Sequence, residues 1–301
     1  VVDFEETFQK KLGLPLQTDV PLSAHTTWRI GGLARFFFSP RSQLQLKQAI
    51  RLANREELPW YVLGRGSNVL FPDSGYDGLV IKVGEEIGEM KIDPQKKSLY
   101  AQAGVPLQRL ALKCKENGFR SFNFLYGIPG SCGGGIAMNA GAFGFRVGDF
   151  IERVFFIDED GVIEEADSSQ CNFSYRNSLF LNSERTIIGA KFKLIAESDQ
   201  PDLEEIRGRR ANSLPLGVPS AGCVFKNPPE TDASAGRLID QIGCKGLRRG
   251  KAVVSNKHAN FILNEGGARS VDVRRLIDII KDKVYKAFGV TLVPEVTVIE
   301  G

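Results

Sequence analysis

The chain has 301 residues, 42% of them hydrophobic and 25% charged, an ordinary globular composition that excludes intrinsic disorder. Its 39 Lys and Arg against 36 Asp and Glu leave a net charge of +3, spread without a basic block, so nothing points to nucleic acid. Five cysteines without a CxxC pair, two histidines and no apolar run of membrane-spanning length argue against a disulfide framework, a metal site and a transmembrane helix.

Reduced thiols in a cytoplasmic protein are the expectation, and residues 1–6 do not read as a signal peptide. At this length two or three subdomains around a cleft are expected. Ser42 caps a predicted helix through Leu44, Leu46, Ile50 and Leu52 that closes before Pro59, and Trp60–Leu63 reads as a buried strand. The loop Gly64-Arg65-Gly66-Ser67-Asn68-Val69 then opens like a dinucleotide fingerprint. However, its sixth position is Val69, and residues 70–75 give a turn and a strand where that fingerprint requires a helix. Strands follow at 78–83 and 98–103, with a helix at 106–118. A second glycine loop, 127–135, runs into residues 136–144 and lacks the Lys-Ser or Lys-Thr ending of a P-loop.

Two strands are expected within 151–166 around Glu159-Asp160-Gly161, and another at 186–195. From Asp202 the pattern turns helical, at 202–212, at 235–242 before Gly243, and at 270–288 before Gly289. The last helix keeps Val273, Leu276, Ile277, Ile280, Val284 and Phe288 on one face. A final strand, 292–299, carries Pro294-Glu295 in its middle, and a proline there implies an edge or bulge that turns Glu295 toward a cleft.

The first glycine loop can turn successive N–H groups inward as an anion-binding nest, with Ser67 and Asn68 adding side-chain donors, and the many glycines of the second suit close approach to a ligand or a neighbouring backbone. A packed turn is the alternative for each. Taken alone, Cys223 reads as a small buried hydrophobe and Arg176 as a surface or ion-paired cation. Glu295 is odder, because an unpaired carboxylate in an apolar strand is costly to bury.

Two glycine loops in strand-rich halves without a Rossmann helix resemble the FAD-binding architecture of vanillyl-alcohol-oxidase/PCMH-type flavoproteins. Several motifs narrow this: His25-Thr26-Thr27-Trp28-Arg29-Ile30-Gly31-Gly32, Gly64-Arg65-Gly66-Ser67-Asn68, and Gly127-Ile128-Pro129-Gly130-Ser131 with Met138-Asn139-Ala140-Gly141-Ala142. Further on stand Ser174-Tyr175-Arg176-Asn177-Ser178, Gly222-Cys223-Val224-Phe225-Lys226-Asn227-Pro228, Lys257-His258-Ala259-Asn260-Phe261 and Pro294-Glu295-Val296. In order and spacing these are similar to the UDP-N-acetylenolpyruvoylglucosamine reductase family, in its shorter branch lacking a substrate-covering tyrosine loop. Two positions depart from the family: Cys223 replaces the usual serine proton donor, and Thr297 stands where an arginine often follows the motif glutamate.

The resemblance implies an α+β fold with an FAD-binding part in two strand-rich subdomains (1–84 and 85–198) and an α/β substrate-binding domain (199–301) whose last strand returns to the active-site cleft. It implies NADPH- and noncovalent FAD-dependent reduction of the enolpyruvyl ether of UDP-N-acetylglucosamine to UDP-N-acetylmuramate, for peptidoglycan. Cys223, Arg176 and Glu295 would act at the chemical step. Arg29, Gly64, Arg65, Gly66, Ser67, Asn68, Gly130, Ser131, Gly134, Asn139, Gly141 and Ala142 would hold the flavin, and Tyr175, Lys226, Asn227 and Lys257 the nucleotide sugar. No metal is implied, and a monomer or weak homo-oligomer is expected. Other readings stay open: another flavin oxidoreductase acting on an alcohol or sugar, a flavin- or nucleotide-sugar-binding protein without turnover, or a thiol hydrolase using Cys223 and His258.

Overall fold

A computed structural model describes residues 4–300, and Val1 to Asp3 of the N-terminal stretch lie outside it. The chain folds into two compact units, both assembled from separated segments. The first contains Phe36–Arg65, Gly78–Arg209 and the stretch leading to Thr18; the second contains Asp19–Arg35, Gly66–Asp77 and everything from Arg210 onward. The first glycine loop is shared between them, Gly64-Arg65 going to one and Gly66-Ser67-Asn68 to the other.

In the first unit the helix Gln43–Arg55 starts where its sequence says it should, with the Ser42 hydroxyl accepting from Gln45 N. Its Leu46, Ile50 and Leu52 are buried, while Leu44 is exposed on the opposite face. Trp60–Leu63 runs parallel to Tyr76–Lys82, pairing Leu63 with Lys82. A five-stranded antiparallel sheet follows the order Ile163–Asp167, Ile151–Ile157, Thr186–Lys193, Ser98–Gln102, Met90–Asp93. The turn at Gly161 has φ 72, which only a residue tolerant of the left-handed region adopts cheaply. Phe122, Phe124, Phe150 and Phe192 pack together inside this unit, with Phe122 and Phe192 edge to face at 5.2 Å.

In the second unit three short strands, Arg248–Arg249, Ala252–Val254 and Ile262–Asn264, form an antiparallel sheet. The helix Ser270–Phe288 buries Val273, Leu276, Ile277, Ile280 and Val284 and ends in Gly289 at φ 69, as the periodicity and the glycine stop predict. Phe288 differs: it stays 42% exposed. Buried Trp28 donates its indole N–H to Ile262 O at 2.8 Å.

Two expectations need correction. Residues 292–299 are not one strand: Lys226 N donates to Val293 O and Glu295 N to Val224 O, after which Thr297–Val298 pairs in parallel with Val69–Leu70. Pro294 lacks a donor, and the segment changes partners just beyond it. The second glycine loop also contains a short helix, Cys132–Ala137, capped by the Ser131 hydroxyl. Its glycines hide the helical pattern because they supply no apolar face.

Candidate functional site

The residues singled out above fall into one group in each unit. In the first, the two glycine loops meet: a Cβ on Gly64 would lie 2.5 Å from Ser131 Oγ. Several glycines of the second loop have packing reasons, since a Cβ on Gly133 would meet Ala103 Cβ at 3.0 Å and one on Gly135 would meet Leu107 Cδ2 at 2.8 Å. Gly134 is different: it is exposed, and a Cβ there would meet Ser131 Oγ only at an ordinary 3.5 Å. Gly130 anchors its stretch by accepting from Leu107 N. Lys82 donates to Gly64 O, and Arg65 and Arg109 each approach Glu85 at 3.8 Å.

The same unit builds the platform for Arg176. Ser174 and Asn177 exchange backbone hydrogen bonds of 3.1 and 3.3 Å, which leaves Tyr175-Arg176 at the tip of a tight turn with Arg176 at φ 53. Asn139, buried and at φ 44, donates to Ser174 O at 2.8 Å and accepts from Gly148 N at 2.9 Å. The Arg176 guanidinium donates to Gly141 O at 3.0 Å and lies 5.5 Å from the Tyr175 ring centre. Gly141 pairs with Arg146, and Ala142 with Phe145, in a two-residue ladder that leaves no room for a Cβ on Gly141.

In the second unit Cys223 and Glu295 lie on paired segments. The segment after Cys223 is clamped on both sides: Val224 N donates to Asn260 O, the Asn260 amide exchanges hydrogen bonds with Phe225 N and O, and Glu295 N donates to Val224 O at 2.7 Å. Cys223 is half-buried beside Val253, Phe261 and Leu263. Arg210 stands close enough to the thiol to interact with its charge; burial lowers the Arg210 pKa and a Cys223 thiolate would raise it. Asn227 Oδ1 accepts from Ala235 N, and Lys257 Nζ donates to Ala211 O at 2.6 Å. Asn68 donates to Glu295 O at 3.0 Å, and Gly66, at φ 64, approaches His25 O so closely that no Cβ fits. Exposed Arg29 also takes a left-handed φ of 57.

None of the five cysteines is in a disulfide, and no metal-binding cluster occurs among the described residues. His258 packs on Phe261 at 4.9 Å, with burial lowering its pKa. Lys82 and Arg210 were missed in the sequence, although Lys82 ends an otherwise apolar strand and so carried a legible signal.

Residues 34–167 match the family model described as FAD binding domain, and residues 214–299 match UDP-N-acetylenolpyruvoylglucosamine reductase, C-terminal domain. A UDP-N-acetylenolpyruvoylglucosamine reductase of Carboxydothermus hydrogenoformans is 40% identical over 98% of this chain and 97% of its own. The chain belongs to the UDP-N-acetylenolpyruvoylglucosamine reductase family. The crystal structure of the Thermus caldophilus reductase overlays with a TM-score of 0.77 at 32% identity, covering 95% of this chain and all of that one. Berberine bridge enzyme from Eschscholzia californica, at TM-score 0.50 and 15% identity over 64% of this chain and 43% of its own, shares the fold alone. The fold is thus α+β with an FAD-binding domain of the vanillyl-alcohol-oxidase/PCMH type.

Proposed function

We propose that this chain catalyses the family reaction, NADPH- and FAD-dependent reduction of UDP-N-acetyl-3-O-(1-carboxyvinyl)-glucosamine to UDP-N-acetylmuramate in peptidoglycan precursor synthesis. The observation that carries it is the match to reductases of that name over nearly the whole chain. The residues suit the flavin: Gly64 and Gly134 leave side-chain-free approaches beside the Ser131 hydroxyl, and Arg65, Lys82 and Arg109 supply positive charge for a diphosphate. Arg29, Gly66, Ser67, Asn68, Gly130, Asn139, Gly141 and Ala142 complete the proposed flavin-holding set, Asn139 and Gly141 by shaping backbone. When bound and reduced by NADPH, FAD supplies a hydride to the terminal vinyl carbon.

The protein's part is to meet charge and move a proton. Arg176 holds the substrate carboxylate with a fixed cationic fork as charge develops there. Glu295, protonated, donates a second hydrogen bond to the same group. Cys223 gives its thiol proton to the internal carbon, and the thiolate left behind is met by Arg210. Tyr175, Lys226, Asn227 and Lys257 bind the sugar and diphosphate. Residues 1–84 and 85–198 serve the flavin and 199–301 the nucleotide sugar, in a cytoplasmic monomer or weak homo-oligomer. No helix among the described residues is long and apolar enough to cross a membrane.

The test is anaerobic. NADPH should bleach the visible flavin band of the purified protein, and enolpyruvyl-UDP-N-acetylglucosamine should restore it. A protein that takes up no flavin when FAD is supplied overturns the proposal, and one reoxidised instead by simple alcohols or sugars is another oxidoreductase of the same fold.

A further inference from the structure

Lys82 ends the strand Tyr76–Lys82, whose residues 79–81 are fully buried. Its neighbour across the parallel pair is Leu63, so a long side chain reaching one residue further meets the start of the glycine loop. There its Nζ donates to Gly64 O. Charged groups surround this contact: Arg65 on the loop, Glu85 after the strand and Arg109 on the helix Leu107–Glu116. The peptide bond is planar, and no described bond is cis. Gly64 C=O and Arg65 N–H therefore point in opposite directions, and whatever holds the first aims the second. No backbone carbonyl takes up the Arg65 N–H among the described residues.

We propose that Lys82 is a positioning residue for the flavin nucleotide, its ammonium pinning and polarising the Gly64–Arg65 peptide so that the Arg65 N–H is presented to an oxygen of the cofactor's diphosphate. The proposal rests on the reading that the Gly64 loop holds FAD. A cation bound to a carbonyl strengthens the N–H of the same amide as a donor. The cost of keeping this lysine supports the assignment. Burial, and then repulsion from Arg65, bring its pKa down from 10.5 to about 8. Between those values the unfolded chain holds the proton and the folded chain does not, so this group's contribution to stability rises with pH through that window. Below about pH 8 the partly buried charge opposes folding, so this contact does not serve the stability of the apoprotein there.

The experiment titrates FAD into flavin-stripped full-length wild type, Lys82→Met and Gly64→Ala, reading flavin fluorescence, alongside the melting temperature of each apoprotein. Lys82→Met should raise the FAD Kd about tenfold or more, the range for losing a charge-assisted hydrogen bond, without lowering the apoprotein Tm at pH 7. The gap in Kd should narrow as pH rises through 8 to 10. A Lys82→Met protein that binds FAD as tightly as wild type while Gly64→Ala binds it weakly overturns the proposal and leaves the FAD loop standing. A weaker Kd accompanied by an apoprotein Tm several degrees lower marks Lys82 as merely structural, which also overturns it. Unchanged FAD binding in Gly64→Ala removes the loop reading and the proposal together.

Discussion

Exposure separates one thiol from the other four. Burial pushes Cys114 and Cys132 up to about 12, burial and then the Asp167 charge push Cys171 to about 11, and burial also raises Cys244. These four are inert packing groups at neutral pH. Cys223 is half-buried, with Arg210 in electrostatic reach. Replacing Cys223 by Ala should lower kcat about 10²- to 10⁴-fold, as expected for loss of a general acid, with the flavin spectrum unchanged. Cys223→Ser should move the alkaline fall in activity upward, because a hydroxyl does not ionise where a thiol does. Those rates must be measured at saturating FAD, since Lys82 titrates at about 8. An alkaline limb unmoved in Cys223→Ser would assign the fall to another group.

At the scale of elements, the Arg176 turn depends on one asparagine outside it. Asn139 takes a left-handed φ at the end of the Cys132–Ala137 helix and fixes both Ser174 O and Gly148 N. Asn139→Ala would remove both hydrogen bonds and leave the half-buried Gly148 N–H without its acceptor, which should cost about 1 to 3 kcal/mol, read as a lower urea midpoint. It should also lower kcat, because the guanidinium would no longer be held at a fixed angle. Reduced stability with an unchanged kcat would show that this turn does not set the position of Arg176. Asn260 plays a comparable part in the other unit, its side chain acting as a strand partner for Phe225.

At the scale of the whole molecule, the segments of the second unit are tied by charge as well as by packing. Asp73 accepts from the Ser270 and Val271 N–H groups at the start of the Ser270–Phe288 helix, from nearly two hundred residues away in sequence. Burial raises its pKa, but these hydrogen bonds and Arg269 outweigh it and hold the carboxyl below its ordinary 3.8. For a depressed carboxylate, the stability is present above the unfolded value and is lost as pH falls through the folded one. Asp73→Asn should therefore destabilise the protein most at pH 7, with the difference from wild type shrinking as pH falls below that ordinary 3.8. Thermal melts across pH 2 to 7 measure this, and a variant destabilised equally at both ends contradicts it.

The sequence by itself determined the local elements and the family. Ser42, the apolar face of residues 270–288 and Gly289 specify helix limits through capping and periodicity, which act within a few residues. The failed Rossmann context after Gly64 and the ordered motifs pointed to the flavin fold. Tertiary structure decided the rest. Where residues 292–299 exchange partners, why Gly133 and Gly135 leave little room for a side chain, and what Asn139, Asn260 and Lys82 hold are set by atoms distant along the chain. A hydrogen bond or an absent Cβ is specified by the group across from it, and local pattern carries no information about that group.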